Sequence, residues 1–145
     1  MFRSTLLLAV LVSALTSNLY AESTATLEET VTAPELFDIE KMLLEATNAE
    51  RARYGRAPLE IDMNLVTTSR RHSAWMASRN SLQHGRYPVA ENIATGQATV
   101  AEALRSWMNS SGHRANILNS GYRKLGVAGY VGSNGRIYWT QQFTN

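Results

Sequence analysis

The sequence predicts an α+β domain in which helices cover a small antiparallel sheet. Three segments with apolar residues at helical spacing come first, and the chain ends in two segments that alternate between apolar and polar residues. Helices that precede a hairpin favour an antiparallel sheet, because a parallel sheet needs a long crossover between its strands. With 145 residues and no internal repeat, the chain is long enough for one domain with its own core.

The N-terminal residues 1–21 have the pattern of a secretory signal peptide. Arg3 provides a basic start, and residues 5–15 form a short apolar run. Residues 22–33 are rich in Thr and Glu, which predicts a flexible lead-in to a domain that spans residues 34–145. The apolar run is shorter than the roughly 20 residues that a membrane-spanning helix needs, so no transmembrane segment is expected.

Three helix starts are marked by capping residues. Thr32 and Glu35 have the spacing of a capping box, and the helix that follows is predicted to reach about Arg53. Asp62 is a favourable N-cap for a second helix over residues 63–81. Thr99, three residues before a glutamate, predicts the start of a third helix.

The segments after the second and third helices are predicted to be irregular. Residues 83–97 contain glycine and proline but are too apolar for a disordered linker, so we expect a packed loop. Ser111 and Gly112 are predicted to end the third helix, and residues 113–118 to form a short turn.

The C-terminal part of the chain predicts a β-hairpin. Residues 125–131 and 137–143 alternate with period two, and residues 132–135 between them are turn formers. Three tryptophans match the helical or strand periods and are expected in the core, namely Trp75, Trp107 and Trp139.

Charge is divided unevenly along a chain whose formal net charge is only +2. Residues 22–62 carry ten acidic and four basic residues, whereas residues 63–145 carry two acidic and nine basic residues. A basic body of this kind suits anionic polymers or lipid headgroups, although a solvated surface that pairs with the acidic first helix is the favoured interpretation. Nucleic acid is not an expected partner, because the arginines are scattered and the protein is predicted to be exported.

The sequence contains no cysteine. The exported domain must therefore be held by packing rather than by disulfides. Any metal site has to be built from histidine, carboxylate or water.

The candidate polar site consists of His84, Glu91 and His113. Imidazole and carboxylate are the pair that zinc selects and also the pair that performs acid–base chemistry near neutral pH. The chain has no H-E-x-x-H, G-x-S-x-G or P-loop motif that would define a reaction.

Each candidate also has a structural interpretation. The Glu91 carboxylate could accept hydrogen bonds from loop amides, and His113 could bridge the third helix to the next segment. His72 lies on the apolar face of the second helix, so a core histidine is the favoured interpretation there.

Taken in order, several segments resemble the CAP superfamily of cysteine-rich secretory proteins, insect venom antigens and plant pathogenesis-related proteins. The matching segments cover roughly residues 38–143 and read TNAERARYGRAPLEID, RRHSAWMASRNSLQHG, AENIATG, SWMNSSGHRANILN, LGVAGY and YWTQQF. The resemblance implies a three-layer α-β-α sandwich. The SGHRANIL segment and the lack of cysteine resemble the short exported bacterial members.

The resemblance also implies a cleft with two histidines and two acidic residues that can bind a divalent ion. By position in the motifs, the first histidine corresponds to His84 and the first acid to Glu91. The other two positions fall at Ser110 and Tyr138, so half of the set is replaced. We therefore expect a rearranged site in which His113 joins His84 and Glu91 around a zinc ion with a bound water, with Ser110 and Tyr138 as supporting polar groups.

The resemblance favours a secreted or periplasmic monomer that binds rather than reacts. The expected partner is a small or lipid-like ligand, a cell-envelope component or another secreted protein. A metal-dependent hydrolase that uses the His84–Glu91 cleft and a purely structural polar cluster are the two alternatives, since a shared fold does not transfer a function.

Overall fold

A computed structural model of the protein describes residues 35–145, of which Leu36–Asn145 form one compact unit. The predicted signal peptide at residues 1–21, the lead-in at residues 22–33 and the cap at Thr32 lie outside the described residues. None of the helices in the described part is both long and apolar enough to cross a membrane.

Four helices and four strands make up the part of the chain that the structure describes. In chain order they are α1 (Asp38–Arg53), β1 (Glu60–Ile61), α2 (Met63–Arg79), β2 (Ala90–Thr95), α3 (Val100–Met108), α4 (Ser111–Leu118), β3 (Lys124–Val131) and β4 (Ile137–Thr144). The sheet order is β1-β3-β4-β2, with β1 parallel to β3 and the other pairs antiparallel. The predicted α+β class is confirmed, and the short strand β1 makes the sheet mixed.

The alternation of side chains along the strands creates three layers. One face of the sheet packs on α2, where a small cluster joins Met76, Ile93 and Tyr138. The opposite face packs on α1, α3 and α4 and holds the larger core. Its buried residues include Leu43, Trp107, Ile117, Leu125, Val127, Trp139 and Phe143. The helices on both faces produce the expected α-β-α sandwich.

Helix α1 begins at Asp38, later than the spacing of Thr32 and Glu35 predicts. Its first turn is closed by Glu40, whose Oε2 accepts a hydrogen bond of 2.9 Å from the backbone N–H of Phe37. The same buried carboxylate receives Nε and Nη2 of Arg70, each at 2.6 Å. This bidentate pair ties the start of α1 to α2 and fixes where the helix can begin.

The other two predicted caps are confirmed. Oδ1 of Asp62 accepts the backbone N–H groups of Asn64 and Leu65 at 2.8 and 3.1 Å. Helix α2 then ends at Asn80, which has a left-handed conformation with φ of 47°. At α3, Oγ1 of Thr99 accepts the third N–H of the helix at 3.2 Å.

Two segments predicted to be irregular form regular structure. The loop expected over residues 83–97 contains strand β2, and the turn expected over residues 113–118 is most of helix α4. Strand β2 reads AENIAT and lacks an apolar–polar alternation, because Glu91 and Asn92 lie on opposite faces and both find hydrogen-bond partners on β4. Ser111 and Gly112 start α4 rather than end the helix before it.

The tryptophans differ in their surroundings. Trp107 and Trp139 are core residues with 1% and 0% exposure, as predicted, but Trp75 is 39% exposed and its prediction is wrong. Trp75 lies on the outer side of α2, where residues 83–87 border it without covering it.

The outer edge of β2 is capped by side chains from two helices. The Trp107 indole N–H donates to the Ile93 carbonyl at 3.0 Å, and the Asn116 amide donates to the Glu91 carbonyl at 3.4 Å. These bonds satisfy carbonyl groups that would otherwise be open to pairing with another chain.

Helix α2 approaches the sheet most closely at Gly126 of β3. A β-carbon added at this glycine would overlap the backbone carbonyl of Leu65 in the first turn of α2. The helix can lie against the strand only because residue 126 has no side chain.

We therefore expect Gly126→Ala to lower the free energy of unfolding by about 3 kcal/mol, because α2 has to move away from the sheet. The matched control is Gly112→Ala on α4, where an added β-carbon meets nothing within 4 Å. Chemical denaturation of both variants measures the difference. Equal stability of the two variants would contradict this account of the helix–sheet contact.

Candidate functional site

The candidate site is built around two successive residues of β2 that point to opposite faces of the sheet. Glu91 lies opposite Gln142 of β4, and Asn92 lies opposite Gln141. Because neighbouring side chains in a strand alternate between faces, each pair becomes part of a separate polar network.

The first network centres on the Glu91 carboxylate on the α2 face. Its Oε1 accepts the Gly85 backbone N–H and lies 2.9 Å from Nδ1 of His84. Its Oε2 accepts the side-chain amide of Gln142 at 3.0 Å, and Gln142 in turn accepts a hydrogen bond from Thr68 of α2 at 2.5 Å. Three hydrogen-bond donors therefore compensate the cost of burying the Glu91 carboxylate, whose side chain is only 7% exposed.

His84 connects this network to solvent. A carboxylate can only accept, so the bond to Glu91 assigns the proton to Nδ1 and leaves Nε2 as the acceptor of the neutral ring. The His84 side chain is 60% exposed. The structure thus brings two of the sequence candidates, His84 and Glu91, into direct contact.

His72 is buried beneath the same loop, as its position on the apolar face of α2 predicts. Its Nε2 lies 2.8 Å from the carbonyl of Gln83 and 3.7 Å from Oε1 of Glu91. The His72 ring stacks on Trp75 with 5.8 Å between centroids and meets the edge of Tyr87 at 6.1 Å. This histidine anchors the loop to the helix.

A groove of about 470 Å³ opens between α2 and residues 83–87, and we name it the α2 groove. Its lining includes two arginines and four ring side chains, which are Arg71, Arg86, His72, Trp75, His84 and Tyr87. Its volume is within the range of small-molecule sites.

Gly85 is required for the shape of this groove. A β-carbon there would lie 2.7 Å from the Tyr87 ring and 3.1 Å from Oε2 of Glu91. The backbone at residue 85 is thus held between the groove wall and the carboxylate, close enough to donate to it.

The second network lies on the opposite face and was not predicted. The Asn92 amide donates to Gln141 Oε1 and to the His113 carbonyl, both at 3.1 Å. Gln141 donates to Thr47 of α1 at 2.8 Å, and Asn116 donates to Oδ1 of Asn92 at 2.9 Å. The sequence did contain a signal for this network, because Asn92 and Gln141 are polar residues at positions that a short strand should bury.

His113 takes part in this network through its backbone, as the Asn92 bond to its carbonyl shows. Its imidazole is half-buried at the start of α4. Burial, and then the charge of His84, hold the pKa of His113 below its ordinary value of 6.5. The two imidazoles are therefore close enough to interact electrostatically.

Neither of the two remaining sequence candidates is hydrogen-bonded to the Glu91 carboxylate, which is held by His84, Gly85 and Gln142. Ser110 is the N-cap of α4, but its side chain makes no capping hydrogen bond. The Tyr138 ring is buried opposite Thr95, and its hydroxyl accepts the Asn134 amide at 3.1 Å in the hairpin turn. Four residues of strand separate Tyr138 from Gln142, which corresponds to about 13 Å.

Within residues 35–145, no three side chains of histidine, aspartate or glutamate are arranged to hold a metal ion. The side chains of His84, Glu91 and His113 would have to move before they shared one zinc ion. Zinc binding at this site therefore stays a prediction.

Comparison with known proteins identifies the family. A sequence profile of the cysteine-rich secretory protein family, named CAP, matches residues 44–143. YkwD of Bacillus subtilis is 42% identical over an alignment that covers 87% of this chain and 56% of YkwD. The membrane protein YlbC of the same organism is 33% identical, with 72% of this chain and 34% of YlbC covered. The chain thus spans about half or less of the length of these relatives.

A solved structure gives the same result. An extracellular SCP-domain protein from Bacillus anthracis superposes with a TM-score of 0.66 at 26% identity, covering 79% of this chain and 45% of that chain. The α+β fold and these matches agree with one another. The chain belongs to the CAP family of cysteine-rich secretory proteins.

Proposed function

We propose that this protein is an exported CAP-domain binding module that holds a small or lipid-like ligand, or part of a cell-envelope component, in the α2 groove. The predicted signal peptide and the extracellular CAP protein among its structural neighbours support export. The module acts as a monomer and catalyses no reaction.

The state of Glu91 is the main observation behind this proposal. A hydrolase of this design would use Glu91 as its base, but the carboxylate accepts three hydrogen bonds and is almost completely buried. A base needs access to the proton that it removes. The groove instead presents aromatic surface, which suits binding.

The function is tested by native mass spectrometry of the full chain purified after export. We expect a ligand that is retained by the wild-type protein and lost from Trp75→Ala, because Trp75 forms an exposed wall of the groove. Tyr54→Ala is the matched control, since Tyr54 is an exposed aromatic residue at the end of α1. Retention in both variants would overturn the proposal.

The metal-dependent hydrolase is the second candidate, and the exposed His84 side chain in contact with Glu91 favours it. An ion would activate water at such a site. Elemental analysis and a thermal shift on adding zinc separate the two candidates, with His84→Ala as the comparison variant. A turnover that disappears in both His84→Ala and Glu91→Ala, with folding intact, would replace the binding module by the hydrolase.

The structural contribution of the polar cluster gives a separate prediction. Glu91→Ala should lower the free energy of unfolding by about 1–3 kcal/mol, because the buried amide of Gln142 and the N–H of Gly85 lose their acceptor. His84→Ala should cost less, since the His84 side chain is 60% exposed. Urea denaturation measures the free energy of unfolding of both variants. An equal loss of stability in the two would contradict the larger structural contribution assigned to Glu91.

The lowered pKa of His113 gives a prediction for acid stability. The folded state disfavours the protonated ring, so this contribution to stability is complete above the ordinary pKa of 6.5 and is lost as the pH falls through the lowered pKa. Lowering the pH from about 7.5 to about 5 crosses the ordinary histidine pKa. Over this range the melting temperature should therefore drop less in His113→Asn than in the wild type. Parallel curves would show that His113 does not control the acid response.

A further inference from the structure

The two arginines that line the α2 groove have no acidic partner among the described residues. Arg71 and Arg86 line the groove, and neither forms an ion pair within the part of the chain that the structure describes. Residues 63–90, which include helix α2 and the loop, contain no aspartate or glutamate. A concave surface with one sign of charge attracts ligands of the opposite sign.

The nearest carboxylate along the chain does not cancel this charge. Glu91 is directed to the Gly85 N–H, His84 and Gln142, and its side chain is 7% exposed. Two guanidinium groups of the groove are therefore available to a ligand, and none of the described residues that line the groove is acidic. Arginine binds phosphate and carboxylate through paired N–H donors.

The groove wall also contains aromatic residues. Trp75 is stacked on His72 at an angle of 10°, and Tyr87 meets the same imidazole at 83°. The Arg79 guanidinium lies 6.0 Å from the centre of the Trp75 ring, which adds positive charge beside the indole. Trp75 keeps 39% of its surface exposed and is available for contact with a planar or apolar body.

The groove wall has a cationic part and an aromatic part, and these two parts indicate the chemical class of the ligand more closely than the groove volume does. Resting on the proposed function, we infer that the ligand carries a phosphate or carboxylate group that binds Arg71 and Arg86. Its apolar or planar body packs against Trp75 and Tyr87. The anionic group belongs either to a free amphiphile or to a lipid headgroup in a membrane.

Tryptophan fluorescence of the full chain provides the test. Trp107 and Trp139 are buried in the core, so a change in emission on ligand addition reports on Trp75. The probes are monomeric octyl phosphate and neutral octyl glucoside, which share an alkyl chain. We expect octyl phosphate to bind at least about tenfold more tightly, and its affinity to fall as salt is raised.

Charge-matched variants identify the residues. The double variant Arg71→Gln with Arg86→Gln should weaken octyl phosphate binding at least about tenfold, because both guanidinium donors are removed. The control double variant is Arg105→Gln with Arg114→Gln, which removes the same charge from a cleft beside α3 and should leave binding unchanged. Circular dichroism checks that each variant is folded, and the salt dependence of the wild type tests the inference without any variant.

Vesicles distinguish the two sources of the anion. Sedimentation with phosphatidylglycerol vesicles but not with phosphatidylcholine vesicles, lost in the Arg71 and Arg86 double variant, supports a lipid headgroup. Binding of octyl phosphate without vesicle binding supports a free ligand.

Two results would overturn the inference. Equal binding of octyl phosphate and octyl glucoside, unaffected by the arginine variant, would show a groove for neutral ligands and leave the proposed binding function intact. Absence of binding by both probes and by anionic vesicles would reject the anionic ligand. The binding function itself would then be decided by ligand retention in Trp75→Ala.

Discussion

The pairing of β2 with β4 is the contact on which the candidate site depends. It places Glu91 opposite Gln142 on one face of the sheet and Asn92 opposite Gln141 on the other. These four polar side chains are joined by hydrogen bonds across the strand pair, so a strand with little apolar surface can remain inside the domain. The Trp107 and Asn116 side chains then close the outer edge of β2.

The α2 groove follows from this pairing. Glu91 is held by Gln142, and it in turn holds the backbone at Gly85 and the ring of His84. The loop is thereby fixed beside α2, at a distance that leaves Trp75 partly open. The same bonds that form the groove wall also occupy both oxygens of the Glu91 carboxylate, and this is the observation behind the proposed binding function.

Local signals in the sequence predicted the elements that local forces determine. Asp62 and Thr99 cap their helices as expected, because a side-chain oxygen near free backbone N–H groups needs no distant partner. The C-terminal hairpin is confirmed because alternation and turn formers act within one stretch of chain. Strand β2 was missed because its polar residues are stabilised by β4, some 50 residues away in sequence. The start of α1 was misplaced for a similar reason, since Glu40 is fixed by Arg70 of α2.

By itself, the sequence determined the α+β class and the family, because capping residues, strand periods and motif order are properties of short segments. Only the tertiary structure decided that Glu91 is almost fully buried and shared among three donors, and that His113 contributes its backbone to a network on the opposite face. It also decided that Trp75 lies partly exposed in the α2 groove beside Arg71 and Arg86, which form no ion pair within residues 35–145. These features depend on which face of a strand or helix meets which neighbour, and that relation is set by packing between segments far apart in the chain.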